Sequence, residues 1–203
     1  MTRSMLLVSI LLLAVAAPAV AGPPLICHPF EIGTAKSLPW GAGDGWNSPK
    51  NDYDRGRLIG DTLGLLTAET PVIVRMETLR RAAIYASKDP QTASDLLARL
   101  MSRSREAEGK GSALALFDAG YLAETFKQMD YLFKVGNPAT GVDGYALVKK
   151  ALGLRGSDGE MEFAAAIITQ SNRWGDHQAH LKRATATAAE GSLLARNLSS
   201  HFR

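Results

Sequence analysis

The chain has 203 residues, of which 46% are hydrophobic and 21% charged, and its formal net charge is +3. That length supports one domain with a real core. So small a charge, interspersed with acids, argues against a nucleic-acid partner, and the single cysteine, Cys27, excludes an intramolecular disulfide.

The first residues read as a targeting segment. Arg3 gives a positive start, and Met5 to Ala17 is an apolar run too short to span a bilayer as a stable helix. Pro18 breaks the run, and Ala19-Val20-Ala21 is an A-x-A cleavage site. Residues 1–21 are therefore expected to be a secretory signal peptide cut before Gly22. The mature chain is then periplasmic or extracellular, with no stable membrane span. Cys27 follows Leu25-Ile26 instead of a small residue closing the apolar run, so it does not fit a lipoprotein anchor and reads as a free, partly buried thiol.

Residues 22–54 form an irregular arm rich in Gly, Pro, Asn and Asp, with neither helical nor alternating periodicity. Trp40, Trp46 and Tyr53 punctuate it. Large aromatics usually bury their area within the molecule, so the first expectation is that they staple the arm to the body. A second is that they form a platform for a cell-wall or carbohydrate ligand. Asp44, Asn47, Asn51, Asp52 and Asp54 read as turn formers, because they lack the alternate spacing and closing Glu of a calcium loop.

From Arg55 to the end, residues 55–203, the pattern is helical. Ile59, Leu63 and Leu66 align, although Gly56, Gly60 and Gly64 weaken that helix. Val72, Met76, Leu79, Ala83 and Ala86 mark the next helix, with Thr70 as its expected cap and Pro71 in its first position. Asp89-Pro90 repeats the signal before the face Ala93, Leu97, Leu100. The two helices are expected to pack as an antiparallel hairpin. Basic residues concentrate here, and Arg80 and Arg81, together with Trp40, Trp46 and Tyr53, are the candidate partner- or ligand-binding residues.

The stretch Arg81 to Leu100, RAAIYASKDPQTASDLLARL, resembles one tetratricopeptide-type helical hairpin. Ala82 followed by Tyr85, the turn at Lys88-Asp89 and a small residue at Ala93 or Ser94 carry the likeness. Thr78 and Arg81 stand where that repeat has Trp and Leu. The resemblance implies a concave surface that binds a peptide or protein, without catalysis.

Further along, Ser112 is the expected cap of a helix whose stripe runs Ala115, Ala119, Leu122, Phe126, Met129, Phe133. Leu114, Phe117 and Tyr121 widen that stripe, which places the helix centrally. A short helix from about Val142 to Leu152 follows Gly136-Asn137-Pro138. Ser157 with Glu160 reads as a capping box opening a helix with Met161, Ala164, Ala165 and Ile168. Asp176 is the expected cap of the last and longest helix, whose seam is His177, Leu181, Ala184, Ala188, Gly191, Ala195, Leu198 and Phe202. The expectation is an all-α domain of about six or seven antiparallel amphipathic helices, a helical-hairpin array or bundle behind the irregular arm.

No P-loop, Rossmann, nucleophile-elbow or zincin pattern occurs. Cys27 with a distant histidine would make a secreted hydrolase. Asp176, His177 and His180 could share a metal, since i and i+3 lie on one helix face. Glu160 and Glu162, at i and i+2, face apart and make a poor acid pair. The leading expectation is an exported helical protein-interaction or structural module with a protein or peptide partner, no cofactor and no catalytic site. A Cys27 or His177/His180 metal-dependent hydrolase, and a carbohydrate binder through Trp40, Trp46 and Tyr53, are the alternatives.

Overall fold

A computed structural model describes residues 23–203 except 44, 108–109, 172–173 and 203. The expected signal peptide, and Asp44 of the arm, lie outside the described residues. The described chain is all-α: α1 (Pro24–Cys27), α2 (Leu58–Leu65, after a 3-10 turn at Arg55–Arg57), α3 (Val72–Ala86), α4 (Pro90–Glu106), α5 (Lys110–Phe133), α6 (Gly144–Arg155), α7 (Gly159–Thr169), α8 (Trp174–Thr187) and α9 (Leu193–His201). Among the described residues there is no strand, only one isolated bridge between Trp40 and Pro49. No described helix is long and apolar enough to cross a membrane.

α3 is the hub. Every residue from Val72 to Ala86 is buried except Arg81. The arm, α2, α5 and α7 surround it. The long α5 packs on α3, α4 and α6, as its broad stripe requires. α3 and α4 each pack more extensively on α5 than on one another, so the expected hairpin opens to admit a third helix. α3 is enclosed on nearly every side.

Local signals place most boundaries. Asp89 caps α4 by accepting from Gln91 N at 3.1 Å, with Pro90 in the first turn. Several expected boundaries differ: α5 begins at Lys110 and α8 at Trp174, so Ser112 and Asp176 lie inside the helices they were expected to cap. Thr70 does not cap α3; its hydroxyl donates to Leu65 O at 2.7 Å and closes the end of α2. The α3 N-terminus is capped instead from another helix, where Glu160 Oε2 accepts from Ile73 N at 3.1 Å. With Glu160 turned away, Asp158 and not Ser157 caps α7, accepting from Met161 N at 3.0 Å. The expected final helix is two. Gly191 takes a left-handed φ of 70°, and Ser192 opens α9 by accepting from Ala195 N at 3.1 Å.

Two glycines set the α5–α6 crossing. A Cβ on Gly120 would lie 2.5 Å from Gly144 O, and one on Gly144 would lie 2.4 Å from Gly120 O. The backbones meet there, with no room for side chains.

Candidate functional site

The candidate binding residues meet along α3: Arg80 and Arg81 pair with Glu77, Trp40 and the Trp46 carbonyl meet those guanidiniums, and Tyr53 packs on Tyr85. Burial pushes the Glu77 carboxyl up, but the hydrogen bonds and charges of Arg80 and Arg81 outweigh that and hold it below the ordinary range. Arg80 Nε and Nη2 donate to its two oxygens at 2.8 and 2.9 Å, and Arg81 Nε donates at 2.7 Å. The same guanidiniums then clamp the arm. Arg80 Nη1 donates to Ile26 O at 3.0 Å and Trp46 O at 2.8 Å, Arg81 Nη1 to Leu38 O at 2.7 Å, and Phe30 N to Glu77 at 3.0 Å.

The aromatics complete this tether. Trp40 lies over both guanidiniums, 5.2 and 5.5 Å from their carbons, and edge-on to Tyr85. The Tyr85 hydroxyl donates to Pro39 O and accepts from Lys50 N, at 2.7 and 2.9 Å. Tyr53 packs on Tyr85 and donates to Asp61 at 2.9 Å, while Trp46 packs on Phe133. Arg80 is fully buried, so the basic surface expected there is reduced to Arg81 at its rim. Charge this dense reads as surface in a sequence; here one carboxylate, three arm carbonyls and the Trp40 ring partner it.

Cys27 lies near Arg80, but burial raises its thiol above the ordinary value despite that charge. Its neighbour His28 has its ring 5.9 Å from that of His201, which stacks on Phe30 at 4.9 Å. Burial lowers the His201 pKa, leaving the imidazole neutral at pH 7.

His177 and His180 do not converge on an ion with Asp176. His177 Nδ1 contacts Ala166 O at 2.8 Å, and Asp176 is exposed. Both nitrogens of His180 are engaged: Nε2 with the Tyr145 hydroxyl at 2.7 Å, Nδ1 with Glu162 Oε2 at 2.5 Å. Arg183 Nε donates to the other Glu162 oxygen at 2.6 Å. Among the described residues no three His, Cys, Asp or Glu side chains form a metal-holding group. Arg183 Nη2 also lies 2.8 Å from Nδ1, so the carboxylate and the guanidinium meet at the same ring nitrogen. A Tyr145–His180–Glu162–Arg183 chain thus ties α6, α7 and α8 together. Glu160 and Glu162 diverge, one to α3 and one to α8.

The open concave surface lies beside that chain. A groove of about 590 Å³ runs between α5, the loop 137–143 and the start of α6; Glu124, Lys127, Asn137, Thr140, Asp143 and Tyr145 line it. Glu124 Oε1 accepts from Lys127 Nζ at 2.7 Å and from Tyr145 N at 3.1 Å, across the glycine crossing. Asp143 Oδ1 caps α6 through Ala146 N at 2.9 Å, and Asn137 Oδ1 accepts from Ala139 N at 2.9 Å. Nothing in the sequence singled out this loop beyond Gly136-Asn137-Pro138 as a helix stop.

Compared with models of known families, with curated proteins and with solved structures, the chain matches none.

Proposed function

We propose that the protein is an exported helical interaction module that takes a peptide segment of a partner protein into the α5–α6 groove. The observation that carries this reading is where polar side chains line a hollow open to solvent, bonded there only to their near neighbours. Arg75, Arg80, His177, His180 and the arm aromatics are turned inward and bonded within the fold. Lys127, Asn137, Thr140 and Asp143 instead line a concave surface of about 590 Å³, large enough to receive side chains of a second molecule. The Gly120–Gly144 contact fixes the two helices that form it, so little ordering accompanies binding. The groove carries both the Asp143 carboxylate and the Lys127–Glu124 pair, a mixed charge that suits a peptide better than a uniformly charged polymer. Export rests on the pattern of residues 1–21.

The test is cross-linking of the secreted protein in its native host, followed by binding of the recovered partner to purified chain. Thr140→Trp blocks the groove from an exposed position, and Lys127→Glu reverses its rim charge. Loss of binding in both, with unchanged circular dichroism, supports the groove. A partner that binds both variants as it binds the parent, or recovery of no partner, overturns it.

A further inference from the structure

A second cavity shares no residue with the groove. It has a volume of about 340 Å³ and lies between the α2–α3 loop, the end of α4 and the start of α5. Leu66, Ala68, Leu114 and Ala115 give it apolar walls, Arg75, Arg103 and Asp118 are charged groups in it, and Thr67 and the exposed Glu106 complete its polar lining.

Both arginines are already engaged. Arg75, 1% exposed, donates through Nε to Thr70 O at 3.1 Å, through Nη1 to Asp118 Oδ2 at 2.6 Å and through Nη2 to Thr67 O. Arg103 donates to Leu63 O and Leu66 O, the open carbonyls at the end of α2. These bonds hold the loop that forms one wall. Asp118 is 2% exposed, and its second oxygen, Oδ1, has no protein partner. Buried carboxylate oxygens are ordinarily hydrogen-bonded, so this acceptor is out of place unless something donates to it. The two guanidiniums disfavour a cation, and the carboxylates of Asp118 and Glu106 disfavour an anion.

We propose that this cavity binds a small neutral molecule with an apolar body and one hydroxyl or amide donor, which Asp118 Oδ1 accepts. The pocket is at the lower end of the size range of small-molecule sites, and its few polar groups on apolar walls match their usual make-up. Leu114 and Ala115 hold the body, and Asp118 sets the orientation of the head.

Five probes with one body separate the possibilities: benzyl alcohol, benzamide, toluene, benzylamine and benzoate. Each is titrated into the isotopically labelled full chain, and the backbone amide signals of Leu114 and Ala115 are followed by NMR. Benzyl alcohol and benzamide are expected to shift both signals, with toluene and the two charged probes binding roughly tenfold more weakly. Ala115→Leu fills the cavity without touching the Arg75–Asp118 pair and is expected to abolish those shifts. The proposal is overturned if no probe moves these signals, if toluene, benzoate or benzylamine binds as tightly as the alcohol, or if the shifts persist in Ala115→Leu.

Discussion

Glu160 Oε2 accepts a hydrogen bond from the backbone N–H of Ile73 at 3.1 Å, across 87 positions of sequence, so a side chain of α7 caps the buried hub helix α3. The carboxylate meets both the free N–H groups and the positive end of the helix dipole. Glu160→Ala is expected to destabilise the protein by about 1–2 kcal/mol, and Glu160→Gln, which keeps an acceptor, by less. Burial raises the Glu160 pKa above its ordinary 4.5 even so. Its contribution is therefore complete below 4.5 and falls as pH rises through the folded value. Urea unfolding across that window should show the parent's slope reduced in Glu160→Gln.

Asp118 carries the larger effect of the same sign. Burial pushes its pKa from 3.8 up to about 6, against the opposing charge of Arg75. The folded state holds the proton more tightly, so stability is greatest below 3.8 and declines until about pH 6. The linked loss is about 3 kcal/mol in order of magnitude. Asp118→Asn should remove that slope between pH 4 and 6 while lowering stability at pH 7, because Arg75 loses the carboxylate it is paired with. A slope unchanged in Asp118→Asn would assign the titration to another group.

Glu77 has the opposite sign. Its carboxyl is held below 4.5 in the folded state, so its stabilisation is present above 4.5 and is lost as pH falls through the folded value. Glu77→Gln leaves Arg80 buried beside a neutral group, which is expected to cost about 3–5 kcal/mol. Because Arg80 and Arg81 also hold Ile26, Leu38 and Trp46, the arm should loosen first. Limited proteolysis should cut the variant between residues 41 and 52 under conditions in which the parent survives.

Two glycines of α6 separate packing from propensity. Gly144→Ala places a methyl 2.4 Å from Gly120 O, a backbone atom that cannot swing aside. It is expected to cost about 1–3 kcal/mol and to widen the groove. Gly153 has nothing within 4 Å of its missing Cβ. Gly153→Ala should stabilise the same helix by about 0.5–1 kcal/mol. Thermal unfolding of the pair, measured side by side, gives both signs.

Tyr145→Phe removes the hydroxyl 2.7 Å from His180 Nε2 and leaves a buried ring nitrogen unpaired. A loss of about 1–3 kcal/mol is expected, read by chemical denaturation. Nearly unchanged stability would mean that solvent reaches Nε2 and that the chain joining α6 to α8 is dispensable.

The all-α class and most helix positions were legible in the sequence. The Asp89-Pro90 start of α4, the stripe of α5 and the Met161, Ala164, Ala165, Ile168 face of α7 depend on contacts within a few residues, and periodicity and capping report such contacts directly. What the tertiary structure alone decided is which polar groups go inside. Arg75, Glu77 and Arg80 occupy the most buried helix, although each by itself belongs in water. Their burial depends on Asp118 and on arm carbonyls tens of residues away. The same holds for Glu160 on Ile73 and for His180 between Tyr145 and Glu162, and for the break at Gly191 within an unbroken apolar seam. A helix is a local agreement among neighbours i to i+4, whereas the cost of taking a charge out of water is set by partners that only folding brings within reach.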